Sequence, residues 1–168
     1  MEGLNGMHIL FLCSGNSCRS ILAEATFNQL AASGGCSDWR ASSAGSQPTG
    51  QVHPRALALL RDKGIATNGL HSKSWHDLPQ TPDIVITVCA SAAGETCPVY
   101  LGQAMRSHWG VNDPAKVSGS DAEINAAFEQ AYRTLRARIK ALLREPLHTL
   151  QQHPAQLQTA LNNIALIT

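Results

Sequence analysis

His8-Ile9-Leu10-Phe11-Leu12-Cys13-Ser14-Gly15-Asn16-Ser17-Cys18-Arg19-Ser20 reads as a buried strand, a tight polar loop and the opening of a helix. The run from His8 to Leu12 shows no polar alternation, as expected of a strand covered on both faces. Small polar residues then turn the chain. The stripe Ile21, Leu22, Ala25, Phe27 and Leu30 marks a helix closing near Gly34-Gly35. In such a unit the backbone N–H groups of residues 14–20, set at a helix N-terminus, form a cradle for a tetrahedral oxyanion. Cys13 stands at its mouth, six residues before Arg19. The positive field there is expected to lower its thiol toward thiolate at neutral pH. The loop is therefore expected both to bind an anion and to attack it.

The rest of the chain bounds the surroundings of that loop. With 168 residues, 43% of them hydrophobic, one core needs no metal or disulfide staple. Thirteen Lys and Arg against twelve Asp and Glu give a net charge of +1 with no basic run, so neither nucleic acid nor an anionic membrane is indicated as partner. Met1 to Met7 lacks the basic start and apolar core of a signal peptide, and no apolar stretch approaches the ~20 residues of a membrane span. The expectation is a soluble, cytoplasmic monomer. Cysteines at 13, 18, 36, 89 and 97 make an odd count, which in a reducing compartment favours redox or nucleophilic work over a disulfide framework.

Strand and helix signals alternate. Trp39 to Ser43 suits a short strand ending at Ala44-Gly45, and Pro54 to Lys63 a helix with Gly64 at its C-cap. The β-branched run Asp83 to Val88 suits a central parallel strand delivering Cys89 at its carboxyl end. Met105 to Val111 can form a last strand before the turn Asn112-Asp113-Pro114, and Glu123 to Leu143 a long amphipathic helix. The expected fold is α/β, an open, four-stranded, mostly parallel sheet with helices on both faces. Residues 1–146 form the domain, and residues 147–168 add one or two helical turns packed on it. Ligands of such sheets sit beyond the strands' carboxyl ends, where Cys13, Cys89 and Asp113 share one rim.

The Cys-x5-Arg-Ser sequence resembles the low-molecular-weight protein tyrosine phosphatases. Cys13 to Ser20 is most similar to their relatives, the thioredoxin-coupled arsenate reductases. Cys89-Ala-Ser-Ala-Ala-Gly-Glu-Thr-Cys97-Pro98 resembles the reductases' redox loop with one residue more between its cysteines than many members have. His108-Trp-Gly-Val-Asn-Asp113-Pro-Ala115 resembles their acid loop, and Ser43-Ala44-Gly45 their second strand end. The resemblance implies reduction of arsenate to arsenite, with phosphate or sulfate as competing oxyanions. Cys13 would attack arsenic, while Arg19 and the N–H groups of Ser14, Gly15, Asn16, Ser17, Cys18, Arg19 and Ser20 hold the oxygens. Asp113 would protonate the departing oxygen. A relay from Cys13 to Cys89 to Cys97 would then pass a disulfide outward, and the small residues Ala90 to Gly94 suit a loop that moves. Electrons would come from thioredoxin, or from glutaredoxin with glutathione, with no bound cofactor. Asn16, Glu24 and Ser43 match a potassium site of some of these reductases, although residues 65–68 lack its acidic member.

Two other readings share the cradle. A phosphatase acting on tyrosine phosphate needs no second cysteine pair, and Ala115 stands where those enzymes place an aromatic residue. A non-enzymatic phosphate-binding or redox-sensing module needs no acid at Asp113. The cysteine spacings do not suit zinc. Cys36, His53 and His108 have ordinary packing or capping roles, and Cys18 packs behind the cradle.

Overall fold

A computed structural model describes residues 6–95 and 101–168. Four strands, β1 (His8–Leu12), β2 (Arg40–Ala44), β3 (Ile84–Thr87) and β4 (Met105–His108), form one sheet in the order β2-β1-β3-β4. Every neighbouring pair is parallel. The helices are α1 (Arg19–Ser33), α2 (Pro54–Asp62), α3 (Ala90–Ala93), α4 (Asp121–Leu143), α5 (Leu147–Leu150) and α6 (Pro154–Ile164), with a 3-10 turn at Pro114–Lys116. The expected α/β sheet is thus present, and it is parallel throughout.

Register explains why the reactive ends coincide. Leu12 lies opposite Ala44 on one side and Thr87 on the other, and Thr87 lies opposite His108. The ladder continues one step past each strand: Cys13 N donates to Ala44 O (3.3 Å), Val88 N to Leu12 O (2.9 Å) and Trp109 N to Thr87 O (2.7 Å). Cys13, Cys89 and the chain leading to Asp113 therefore leave the sheet at the same edge.

All of β1 is buried, as its continuous apolar run requires. Phe11 packs between Phe27 of α1 and Trp109, with ring centroids 6.3 and 6.2 Å away. The Ser120 hydroxyl caps α4 by accepting from Glu123 N at 3.1 Å. Gly64, with φ of 73°, ends α2 in the left-handed conformation that favours glycine.

Three segments differ from the sequence reading. Residues 90–93 form a helical turn instead of an open loop, because the Cys89 sulfur accepts from Ala92 N at 3.4 Å and alanine suits the helix. β4 stops at His108, since from Trp109 the chain turns into the acid loop. The tail carries more helix than one or two turns, as α6 alone is 11 residues. Its Leu157, Leu161 and Ile164 are buried, so the apolar face supplies the stability its length alone would not. Among the described residues no helix is long and apolar enough to cross a membrane.

Candidate active site

The cradle is shaped from behind. Asn16 adopts φ of 44°, uncommon for a residue with a side chain, and its fully buried amide is bonded on every side. Its Nδ2 donates to Ser20 Oγ (2.8 Å) and Ser43 Oγ (3.0 Å), and its Oδ1 accepts from Lys73 N (2.8 Å). The side-chain amide thus braces the loop from behind. Gly45 backs the loop so closely that a Cβ would lie 2.3 Å from Ser14 O and 2.4 Å from Cys13 O. Any side chain there displaces the cradle. The N–H groups of Gly15, Ser17 and Cys18 find no backbone acceptor among the described residues, which leaves them to an anion at the start of α1.

Arg19 closes the cradle. Its Nη1 donates to Val111 O (3.1 Å) and its Nη2 lies 3.3 Å from Asp113 Oδ2. Arg19 Nε is buried without an acceptor among the described residues, a donor available to an oxyanion oxygen. Asp113 accepts from Ala115 N at 3.0 Å and faces the Cys18 thiol, whose sulfur is 3.8 Å from Oδ1. Burial, with the Asp113 charge, pushes the Cys18 thiol up to about 11. Cys18 thus stays protonated against the acid as well as packing behind the loop.

Cys13 and Cys89 meet. The Cys89 sulfur lies 3.4 Å from the N–H nitrogen of Ser14, the residue after Cys13, and the two cysteines are 5% and 2% exposed. In this closed state the neighbouring Cys89 works against the expected Cys13 thiolate. Donation to Cys89, followed by burial, pushes the Cys13 thiol far above its ordinary value despite Arg19. The Cys89 thiol is held well below its ordinary value, first by that hydrogen bond and then, against burial, by Ser91 and the N–H groups of Ser14 and Ala92. The coupling of the two thiols thus disfavours a thiolate on Cys13 and favours one on Cys89.

Ser14 fastens the redox segment down. Its N–H points to the Cys89 sulfur (3.4 Å), its hydroxyl donates to Glu95 Oε1 (2.5 Å), and Ser91 Oγ lies 3.0 Å from that hydroxyl. Neither Ser91 nor Glu95 was a candidate from sequence. Their signal was their place between the paired cysteines. Cys97 lies outside the described residues. Cys36, half-buried beyond α1, is remote from this chemistry by sequence and packing and stays a free thiol.

The residues matched to potassium are already engaged. Ser43 Oγ donates to Glu24 Oε1 at 2.6 Å, and Lys73 Nζ lies 3.9 Å from the same oxygen, with side chains only 10% and 13% exposed. Burial pushes the Glu24 carboxyl up, while Ser43 and Lys73 pull it back. Potassium needs a cage of free oxygens. Here the Asn16 oxygen holds a backbone N–H and a lysine ammonium already faces Glu24, so the set does not fit the ion. Sequence alone could not find Lys73, which sits in a loop without a motif.

A thiol at the end of a central parallel strand, an anion cradle closed by an arginine and a carboxylate across it define a cysteine-centred oxyanion site. Residues 8–156 match the Low molecular weight phosphotyrosine protein phosphatase family, and the chain belongs to that family. It is 36% identical over 133 residues to the arsenate reductase of Shouchella clausii strain KSM-K16, a match covering 79% of this chain and 91% of the relative. Its structure is similar to that of an arsenate reductase from Archaeoglobus fulgidus DSM 4304, with 25% identity, a TM-score of 0.65 and coverage of 82% of this chain and 99% of the other. It is also similar to a thioredoxin-dependent arsenate reductase of Corynebacterium glutamicum, with 25% identity, a TM-score of 0.55 and coverage of 80% of this chain and 62% of the other.

Proposed function

We propose that this chain reduces arsenate to arsenite through a relay of Cys13, Cys89 and Cys97, and that thioredoxin or a glutaredoxin with glutathione restores it. The observation that carries the reading is a second buried sulfur on the anion cradle: Cys89 accepts from the N–H of Ser14, the residue after Cys13, at 3.4 Å. A hydrolytic phosphatase has no use for a second sulfur there. The arsenate reductases similar to this chain support the same choice.

The closed state sets the order of events. An oxyanion must displace Cys89 and the Glu95 carboxylate from Ser14, and lifting α3 frees Cys13 from the partner that keeps it protonated. Cys13 then lies under Arg19 alone, which favours its thiolate. The thiolate attacks As(V), a sulfur–arsenic bond forms, and one arsenate oxygen leaves as water with a proton from Asp113. Arg19 and the N–H groups carry the charge of the remaining oxygens. The Cys89 thiolate next attacks Cys13 Sγ. The S–S bond forms as the S–As bond breaks, and that electron pair stays on arsenic, which departs as As(III). Cys97 attacks Cys89, returning Cys13 as a thiol and leaving a Cys89–Cys97 disulfide for an external dithiol. The cycle suits a monomer in a reducing cytoplasm, and Cys13, Cys18, Cys36 and Cys89 are free here.

Purified protein with thioredoxin, thioredoxin reductase and NADPH is expected to oxidise NADPH only when arsenate is added. Mass mapping after one arsenate turnover is expected to find Cys89 joined to Cys97. Brisk aryl phosphate hydrolysis with no arsenate-dependent NADPH loss would instead mark a phosphatase.

The charge behind the cradle comes from Lys73, and no potassium dependence follows. Exchanging sodium for potassium chloride at equal ionic strength is expected to change neither kcat nor Tm. Lys73→Met leaves Glu24 buried without its cation and is expected to cost about 2 to 3 kcal/mol of stability in denaturant unfolding. A potassium-induced rise in Tm of the parent protein would contradict this assignment.

A further inference from the structure

We infer that Arg138, together with the α6 segment it grips, is a positioning residue for Asp113. The inference rests on Asp113 being the acid of the proposed reaction.

Arg138 lies in the middle of α4 and is 4% exposed. A guanidinium is costly to bury unless its donors are paired. Among the described residues Arg138 forms no ion pair, and three carbonyls take its donors instead. Nη1 donates to Trp109 O at 2.8 Å and to Gly110 O at 3.2 Å, and Nε donates to Ile167 O at 2.9 Å. One buried cation thus joins two stretches of backbone: the start of the acid loop and the chain just beyond α6.

The tail grips the same loop independently. The Trp109 indole N–H donates to Leu161 O at 3.0 Å. Ser107 Oγ donates to Asn162 Oδ1 at 3.0 Å, and Gln158 Nε2 to Arg106 O at 2.6 Å. α6 is therefore fastened along β4 up to the residue where the acid loop begins. Beyond Gly110 the loop meets the cradle side, through Val111 N to Val88 O (3.1 Å) and Arg19 to Val111 O (3.1 Å). Asp113 follows directly on both anchorages, four residues past Trp109 and two past Val111. A cavity of about 350 Å³, lined by Asp113, Pro114 and Val117 on one side and Ala131 and Arg138 on the other, lies directly behind the loop. No packed side chain fills that space, so the polar anchors set how far the loop can retreat.

The Arg138 cation does not reach the reacting atoms and acts through Asp113. That distinction is measurable, because two residues serving one function show losses that do not multiply. The single-turnover conversion of arsenate to arsenite is timed in the full chain, Arg138→Lys, Asp113→Asn and the double variant. Arg138→Lys keeps the charge but loses the fork, and is expected to slow turnover about tenfold, part of what a general acid contributes. In the Asp113→Asn background the same substitution is expected to change nothing. The inhibition constant of phosphate is expected to hold in both backgrounds, since the cradle is untouched.

Should Arg138→Lys fail to fold, Gln158→Ala with Asn162→Ala loosens α6 from β4 without opening the core, and is expected to give a smaller loss that again vanishes in Asp113→Asn. Losses that multiply, or a full rate in every Arg138→Lys and α6 variant while Asp113→Asn is slow, overturn the inference. A full rate in Asp113→Asn itself instead removes Asp113 as the acid.

Discussion

Cys89→Ser is expected to abolish arsenate turnover while aryl phosphate hydrolysis persists and extends to lower pH. The first effect follows from electron counting. Without a sulfur at position 89, the proposed relay loses the thiol that takes over the Cys13 bond to arsenic, and multiple-turnover reduction falls by more than about a thousandfold. The second follows from the coupling of the two thiols. In the parent protein donation to Cys89 is the largest influence keeping the Cys13 thiol protonated, and Arg19 opposes it. A serine hydroxyl carries no charge at neutral pH, so the Cys13 thiol titrates lower in the variant than in the parent. A larger fraction is then thiolate at any given pH, and the acidic limb of the hydrolysis profile moves down. Steady-state assays with thioredoxin and arsenate, beside a pH series with an aryl phosphate, measure both. Equal loss of the two activities, or an acidic limb moved upward, would show that Cys89 serves the site in some other way than as the second sulfur.

Arg19→Lys is expected to slow arsenate reduction and any aryl phosphate hydrolysis together, by about 10²- to 10³-fold in kcat/KM. The guanidinium makes several contacts in fixed directions. Nη1 holds Val111 O, Nη2 faces Asp113, and Nε remains as a buried donor. Lysine keeps the charge but offers a single ammonium, which cannot hold the acid loop and present a planar edge to the oxyanion at once. The variant also moves the positive charge that favours the Cys13 thiolate once α3 has lifted. Kinetics on both substrates, with phosphate as a competitive probe of affinity, separate lost binding from lost chemistry. A variant slowed on one substrate only would break the shared role given to this residue.

The cradle was legible from sequence because its pieces are local. A continuous apolar run, a polar loop and a helical stripe fall within one stretch, so the strand, turn and helix around Cys13 and Arg19 follow from neighbouring residues. Cys89 and Asp113 were legible for a related reason: each follows a strand, and a parallel sheet aligns strand ends. What stayed hidden depends on contacts between distant segments. Lys73 meets Glu24 only after the chain has folded over the sheet. Cys89 works against the expected thiolate on Cys13, and no single-residue argument at a helix N-terminus anticipates a second thiol on its N–H groups. The relay asks the segment after Cys89 to move, which its small residues permit, yet alanine is a strong helix former and residues 90–93 form a turn. Arg138 did leave a trace: it falls on the same stripe as Phe128, Ala131, Leu135 and Leu142, where a charged side chain has no business unless something buried needs it.

The near-complete concealment of the Cys13 and Cys89 sulfurs gives the resting protein a kind of chemical discretion. Sulfur nucleophiles left in the open would be consumed by peroxides, electrophiles and stray metal ions long before their intended reagent arrived. In the proposed cycle the reagent itself unlocks the compartment, so reactivity is released by the same tetrahedral anion that it destroys.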